Sequence, residues 1–100
     1  MNMQEKEGMK QIQLSSDQAV SKGVYANLMM CGSSKEEFLL DFFNVFPPKG
    51  IHTARIIVSP GHLKRMIKVL RESLEKYEKQ FGGIVTADEP KGSKWGFNSE

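Results

Sequence analysis

The chain has 100 residues, of which 39% are hydrophobic and 26% charged, and its formal net charge is +2. This length allows one domain with a small core, and the charge by itself is too weak to indicate a nucleic-acid partner. A single cysteine, Cys31, excludes an intrachain disulfide framework, and with only two histidines it argues against a zinc site. No apolar run is long enough to span a membrane. We therefore expect a protein without a cofactor.

The composition divides the chain into three parts. Residues 1–8 are polar and are predicted to be a disordered N-terminus. Residues 9–83 are predicted to form a single α+β domain, and residues 84–100 a flexible tail in which Trp95 and Phe97 leave open a docking role. The first residues, "MNMQEKEGMKQ", contain no apolar segment typical of a secretion signal, so we expect a cytoplasmic protein.

Four segments have the composition of β-strands. They are "MKQIQL", "GVYANLMMCG", a segment over about residues 37–46 and "HTARIIVS". The polar stretch "SSDQAVSKG" after the first is predicted to be a loop, and a strand start at Ala19 and Val20 is left open. "GSSKE" and "PPKG" are turn sequences, and we interpret the glycine of the second as allowing a positive φ. Such short turns between consecutive strands predict a four-stranded antiparallel meander.

One long C-terminal helix follows the last strand. Ser59 is a suitable N-cap and Pro60 a suitable first helical residue, while Gly82 and Gly83 are typical of a helix end. Between them, apolar residues recur every three or four positions and form a stripe, which consists of Leu63, Ile67, Leu70, Leu74, Tyr77 and Phe81. Because this stripe has to be buried, we predict that the helix packs on one face of the sheet.

The predicted strand over residues 37–46, which includes "FLLDFFNVF", is apolar on both faces. A single helix covers a single face, and an uncovered apolar face in a globular protein usually meets another chain. We assign the phenylalanine-rich parity to the core beneath the helix. The other parity, joined by neighbouring strand residues, is predicted to form the interface of a homodimer or larger oligomer, with Tyr25, Met29, Leu39, Phe43 and Val45 as its residues.

Asp41 and Arg55 are charged residues within the two most apolar strands. The "PPKG" turn would place these strands side by side, and a shift of one residue in register decides whether the two side chains meet. We favour a cross-strand ion pair that sets the register over a pair that binds a ligand or partner. No nucleophile or second acid stands near either residue, so we expect no enzymatic activity.

Four basic residues occupy the first three turns of the predicted helix without an acidic neighbour: Lys64, Arg65, Lys68 and Arg71. Lys64, Lys68 and Arg71 fall on one narrow arc of the helix. The favoured interpretation is a solvated face, because pairs such as Lys68 with Glu72 stand four residues apart. The alternative is a basic patch for nucleic acid or an acidic protein, although no aromatic residue on this arc would support base stacking.

Several short motifs together resemble a known family. They are Tyr25-Ala26-Asn27, Glu37-Phe38 with Asp41-Phe42, Arg55 with Ser59-Pro60, and Tyr77-Glu78 with Phe81-Gly82. Through these motifs the chain resembles a family of small prokaryotic proteins known only as a domain of unknown function, number thirty-four sixty-seven. The resemblance covers about residues 10–84. The resemblance implies no activity.

At the level of the fold, the predicted arrangement is similar to that of SecB-type export chaperones, in which a four-stranded antiparallel sheet precedes a helix. The acidic surface expected of such chaperones is absent from this +2 chain. The leading prediction is therefore a non-enzymatic binding or assembly module that acts as a homo-oligomer, with itself and another protein as partners and no membrane. The alternatives are a nucleic-acid-associated protein that uses Lys64, Lys68 and Arg71, or a SecB-like chaperone.

Overall fold

The computed structural model describes residues 11–90 of the chain. The elements, in chain order, are a short helix α1 (Gln18–Lys22), the strands β1 (Leu28–Ser33), β2 (Phe38–Phe46) and β3 (Lys49–Val58), and a long helix α2 (Pro60–Phe81). The strands form one antiparallel sheet in the order β1-β2-β3. The α+β class and the antiparallel meander are confirmed, but the sheet has three strands in the described residues and not four.

The first predicted strand is the one that is missing. Residues 11–14 have no regular secondary structure, and Ile12 and Leu14 are exposed; residues 9 and 10, like the predicted disordered segment 1–8, lie outside the described residues. The predicted loop that follows contains helix α1, where the amides of Val20 and Ser21 both donate to the carbonyl of Asp17 at 3.0 Å. A helix of five residues is too short to show an apolar period, so the sequence pattern did not reveal it.

Ser34 organises the turn between β1 and β2. Its hydroxyl oxygen accepts hydrogen bonds from the amides of Glu36 and Glu37 at 3.2 Å. Its own amide donates to the carbonyl of Glu37 at 2.9 Å. The Ser34 side chain thus accepts hydrogen bonds from turn amides that have no strand partner. This explains why "GSSKE" is suited to connect two strands.

Pro47 and Pro48 form the turn between β2 and β3, and the peptide bond between them is cis. The interpretation of Gly50 as a positive-φ turn residue is wrong, because Gly50 lies within β3 and the positive-φ glycines of residues 11–90 are at other positions. A Cβ atom at Gly50 would lie 3.2 Å from Cγ2 of Val45. A side chain at this position would therefore be crowded by the side chain of Val45 on the neighbouring strand.

Helix α2 begins and ends as the sequence predicts. The hydroxyl of Ser59 accepts a hydrogen bond from the amide of His62 at 3.1 Å, and Pro60 is the first helical residue. At the other end Gly82 has a φ of 99°, and its amide donates to the carbonyl of Glu78 at 2.8 Å. Both ends therefore satisfy backbone groups that a helix leaves without partners.

The prediction that this helix packs on the sheet is wrong. Contacts between α2 and the strands are sparse, no residue of α2 is buried, and the apolar stripe is exposed from Ile67 onward, with Leu70 at 65% and Phe81 at 66%. Ser59 is the only residue between β3 and α2. Connections between a strand and a helix usually have about two to six residues. The connection at Ser59 is shorter than this usual range.

The buried hydrophobic residues of the described chain are Leu40, Phe43 and Val45, all on the central strand β2. Leu40 lies on one face of the sheet, and Phe43 and Val45 lie on the other. The prediction that the phenylalanine-rich parity alone forms the core is therefore wrong, since both faces contribute to it. The contacts between α2 and the strands are sparse, so this helix forms no packed layer on either face.

Candidate functional site: a charged cluster and uncovered apolar surfaces

Strand register divides the sheet side chains into two faces. The face that we call the Asp41 face carries Leu39, Asp41, Phe43 and Val45 from β2, with Leu28 and Met30 from β1 and His52, Arg55 and Ile57 from β3. The opposite face, called the Phe42 face, carries Phe38, Leu40 and Phe42, with Met29 and Cys31 from β1 and Ala54, Ile56 and Val58 from β3. Both faces are thus mainly apolar. Asp41 and Arg55, which lie opposite each other, are on the Asp41 face.

Asp41 and Arg55 are direct cross-strand neighbours and bind each other through two hydrogen bonds. Nε of Arg55 donates to Oδ1 of Asp41 at 2.7 Å, and Nη2 donates to Oδ2 at 3.1 Å. Nε2 of His52 lies 2.8 Å from the same Oδ1. The carboxylate is the centre of this three-residue cluster, with both of its oxygens engaged by the guanidinium group.

The cluster changes the protonation equilibrium of the acid. The hydrogen bond from Arg55 lowers the pKa of Asp41 below its ordinary value, partial burial opposes this effect, and the hydrogen bond with His52 lowers the pKa further. Hydrogen bonding to the Asp41 carboxylate, which accepts from the guanidinium group, in turn raises the pKa of Arg55. The cluster therefore favours an ionised carboxylate, which suits a structural ion pair better than a proton donor or acceptor.

A β-bulge brings His52 to this cluster. The register between β2 and β3 shifts between Phe42 and Phe43, so that Thr53 is passed over and His52 lies opposite Phe43. Strict alternation from Arg55 would have placed Thr53 on the Asp41 face and His52 on the other. The hydroxyl of Thr53 instead donates to the carbonyl of Phe42 at 3.0 Å. Sequence reasoning missed His52 because nothing in the alternating pattern marks the bulge.

The five residues predicted as an oligomer interface do not form one surface. Phe43 and Val45 are buried within the single chain, and Phe43 stacks on His52 with ring centroids 4.7 Å apart. Leu39 is half-buried on the same face, whereas Met29 is paired with Phe42 and lies on the opposite face. Tyr25 precedes β1 and is exposed. The apolar stripe of α2, which the prediction had assigned to the core, is instead mostly exposed.

Asn27 is a structural residue that sequence reasoning quoted only as part of a motif. Its Oδ1 accepts from the amide of Val45 at 2.8 Å, and its Nδ2 donates to the carbonyl of Val45 at 2.9 Å. Its own amide donates to the carbonyl of Phe43 at 2.9 Å. The side-chain amide therefore imitates a strand backbone and extends the β1–β2 pairing by one step, which explains an asparagine before an apolar strand.

The predicted basic patch lies on the exposed surface of α2, along one flank of the apolar stripe. In the described part of the chain, no acidic side chain is within ion-pair distance of Lys64, Lys68 or Arg71, so the expected pairs four residues apart are not closed. Nη2 of Arg65 lies 2.9 Å from Nδ1 of His62, one turn earlier in the helix. Arg65 is thus engaged with its own helix, while the other three cations face solvent.

Asp41 and His52 are not part of a candidate metal site in the described residues. Within residues 11–90, no three histidine, cysteine, aspartate or glutamate side chains come together in a group that could hold a metal ion. Cys31 is exposed on the Phe42 face.

Neither described helix combines the length and the apolar character needed to cross a lipid bilayer. Trp95 and Phe97, for which a docking role was left open, lie outside the described residues.

These features define a small α+β protein with a three-stranded antiparallel sheet and a long amphipathic C-terminal helix. The chain belongs to the family described as Protein of unknown function (DUF3467), whose model matches residues 1–86. This confirms the family resemblance seen in the sequence motifs. No curated protein and no solved structure matches the chain, so the likeness to SecB-type chaperones has no support from a structural neighbour.

Proposed function

We propose that the protein is a non-enzymatic binding or assembly module that acts as a homo-oligomer. The observation that carries this proposal is the uncovered apolar stripe of helix α2, beside a sheet whose two faces bury only three hydrophobic residues in the described chain. A stripe of this regularity is typical of a helix that packs against another element. Since its own sheet does not cover it, a second copy of the chain is the partner that supplies an equivalent apolar surface.

The free energy gained by burying apolar side chains of the stripe supports association. Fully burying one large apolar side chain contributes about 1.5–3 kcal/mol. Association costs roughly 4–15 kcal/mol in lost translational and rotational freedom. In a symmetric dimer each stripe residue is buried twice, once in each copy. Burying a few such residues per chain is enough to offset this cost, and the most accessible of them are Leu70, Tyr77 and Phe81.

The charged cluster supports a non-enzymatic role. Both oxygens of Asp41 accept hydrogen bonds from Arg55, so the carboxylate is occupied by a structural partner. A general base needs a free oxygen within reach of a substrate proton and a pKa near the working pH, whereas the pKa of Asp41 is shifted downward. We therefore interpret the cluster as the device that fixes the register of β2 and β3.

Oligomer size and a substitution on the stripe test this proposal. We expect light scattering of the native protein at micromolar concentration to give at least twice the mass of one chain, 11.3 kDa. Leu70→Lys should produce a monomer with unchanged helix content, because Leu70 is already 65% exposed in the single chain. Val69→Lys is the matched control, since Val69 is 57% exposed on the same helix but lies off the stripe.

The native protein running as a monomer at this concentration would overturn the proposal. So would equal dissociation by both substitutions, because that result would reflect added charge and not loss of the stripe. Circular dichroism of each variant shows whether the helix is retained. A monomeric Leu70→Lys variant beside an oligomeric Val69→Lys variant is the expected result.

A second candidate function is association with nucleic acid. The observation that favours it is the row of Lys64, Lys68 and Arg71, which is exposed and without an acidic partner among the described residues. Binding through such a row would weaken steeply with salt, because each phosphate contact releases counterions. We expect replacement of all three residues by glutamate to abolish binding to labelled DNA or RNA at low salt. No binding by the native protein under these conditions would exclude this candidate.

A further inference from the structure

Strand β3 has a β-neighbour on one side only within residues 11–90. On its other side the backbone N–H and C=O groups have no strand to pair with, as in every edge strand. β3 has ten residues and β1, the other edge, has six. β3 is therefore the longer of two open edges, and the longer edge offers more hydrogen bonds to an added strand.

The second half of β3 lacks the usual features that prevent edge pairing. From Ala54 to Val58 the pairing with β2 is regular, and the bulge lies before this stretch. The stretch contains no proline and no lysine. Ile56 and Ile57 lie on opposite faces and are 47% and 54% exposed, so both faces of the edge present a β-branched apolar side chain. Such residues are favourable in cross-strand pairs.

We propose that this edge pairs antiparallel with the same edge of a second copy, so that two sheets become one continuous sheet across a two-fold axis. The proposal rests on the homo-oligomer proposed above and identifies the surface through which it forms. An antiparallel pair of identical segments is self-complementary, which is what a two-fold interface requires. Because the axis passes through one residue position, the same isoleucine of the two copies would then lie directly opposite itself on one face of the sheet.

The charged cluster makes this approach possible. Arg55 is the only charged residue between Ala54 and Val58, and two-fold pairing brings the Arg55 side chains of both copies to one interface. Like charges on adjacent strands are destabilising. Each guanidinium is neutralised within its own chain by the two hydrogen bonds to Asp41. The central strand thus supplies the acid that removes the charge from the edge.

Edge pairing also accounts for the uncovered helix. Ser59 alone separates Val58 from Pro60, so α2 starts where β3 ends. In an antiparallel pair the end of one β3 lies beside the earlier part of the other. Each helix therefore begins next to the sheet of the partner, and its stripe can lie over that sheet and not over its own.

Amide hydrogen exchange of the native protein tests the edge directly. In residues 54–58, every second N–H points away from β2 and should exchange freely in a single chain. In the proposed dimer, these outward amides should exchange at least about 100-fold more slowly than in the monomeric Leu70→Lys variant. The outward amides of β1 are the matched control, and they should exchange equally fast in both proteins.

The outcomes separate this inference from the proposed function. An oligomer by light scattering whose outward β3 amides exchange freely would overturn edge pairing while leaving the homo-oligomer intact. Protection of alternate amides in the N-terminal residues up to Leu14, together with the β3 edge, would show that this segment occupies the edge and would also overturn the inference. A native monomer would remove the proposed function, and edge pairing with it.

Discussion

At the scale of single residues, Asp41 determines how stability depends on pH. Its pKa in the folded chain is held below the ordinary value of 3.8 by Arg55 and His52. A carboxyl group whose pKa is lower in the folded state contributes stability above its unfolded pKa and loses it as the pH falls through the folded pKa. We expect Asp41→Asn to have a smaller free energy of unfolding than the native protein at pH 7, and the difference to shrink as the pH falls below 3.8 and through the lowered pKa of Asp41.

Urea unfolding at a series of pH values, at one fixed protein concentration, measures this difference. Asp88→Asn is the control, because Asp88 is an exposed acid that follows helix α2 and lies outside every element. Its substitution should leave the pH profile unchanged. A constant gap between native protein and Asp41→Asn from pH 7 to pH 2 would show that the cluster contributes no pH-dependent stability.

At the scale of elements, the end of helix α2 depends on the backbone of one glycine. Gly82 has φ 99° and ψ 168°, a conformation that is essentially restricted to glycine. Gly82→Ala should therefore reduce the free energy of unfolding by about 1–3 kcal/mol. Gly83→Ala is a matched control, because Gly83 has no positive φ and an added Cβ atom there meets nothing within 4 Å.

Thermal or urea unfolding followed by circular dichroism compares the two alanine variants. We expect Gly83→Ala to be neutral or more stable by up to about 1 kcal/mol, since alanine restricts the unfolded chain. Equal effects of both substitutions would mean that the left-handed conformation at Gly82 is not what ends the helix. This prediction concerns the element alone and holds for a monomer as well as for an oligomer.

At the scale of the whole molecule, we propose that a single chain is not stable by itself. The described residues contain three buried hydrophobic side chains, whereas the large apolar residues of α2 remain exposed or half-buried. A protein that is stable only as an oligomer unfolds at a temperature that depends on its concentration. We expect the Tm of the native protein to rise by roughly 3–6 °C for each tenfold increase in concentration.

Differential scanning calorimetry over a hundredfold range of concentration measures this rise. The Leu70→Lys variant should have a lower Tm that does not change with concentration, because a monomer unfolds without dissociating. A native Tm that is independent of concentration would indicate that one chain is stable alone.

The sequence by itself determined the features that depend on local chemistry. Ser59, Pro60 and Gly82 marked the ends of α2 correctly, since caps act within one turn of the helix. That Asp41 and Arg55 lie on neighbouring strands followed from the short turn, but the register in which they meet did not. Only the tertiary structure revealed that a bulge brings Arg55 opposite Asp41 and His52 to the same face, and that the helix does not pack on its own sheet. Apolar periodicity shows which side chains must be buried, but it does not show which chain will cover them.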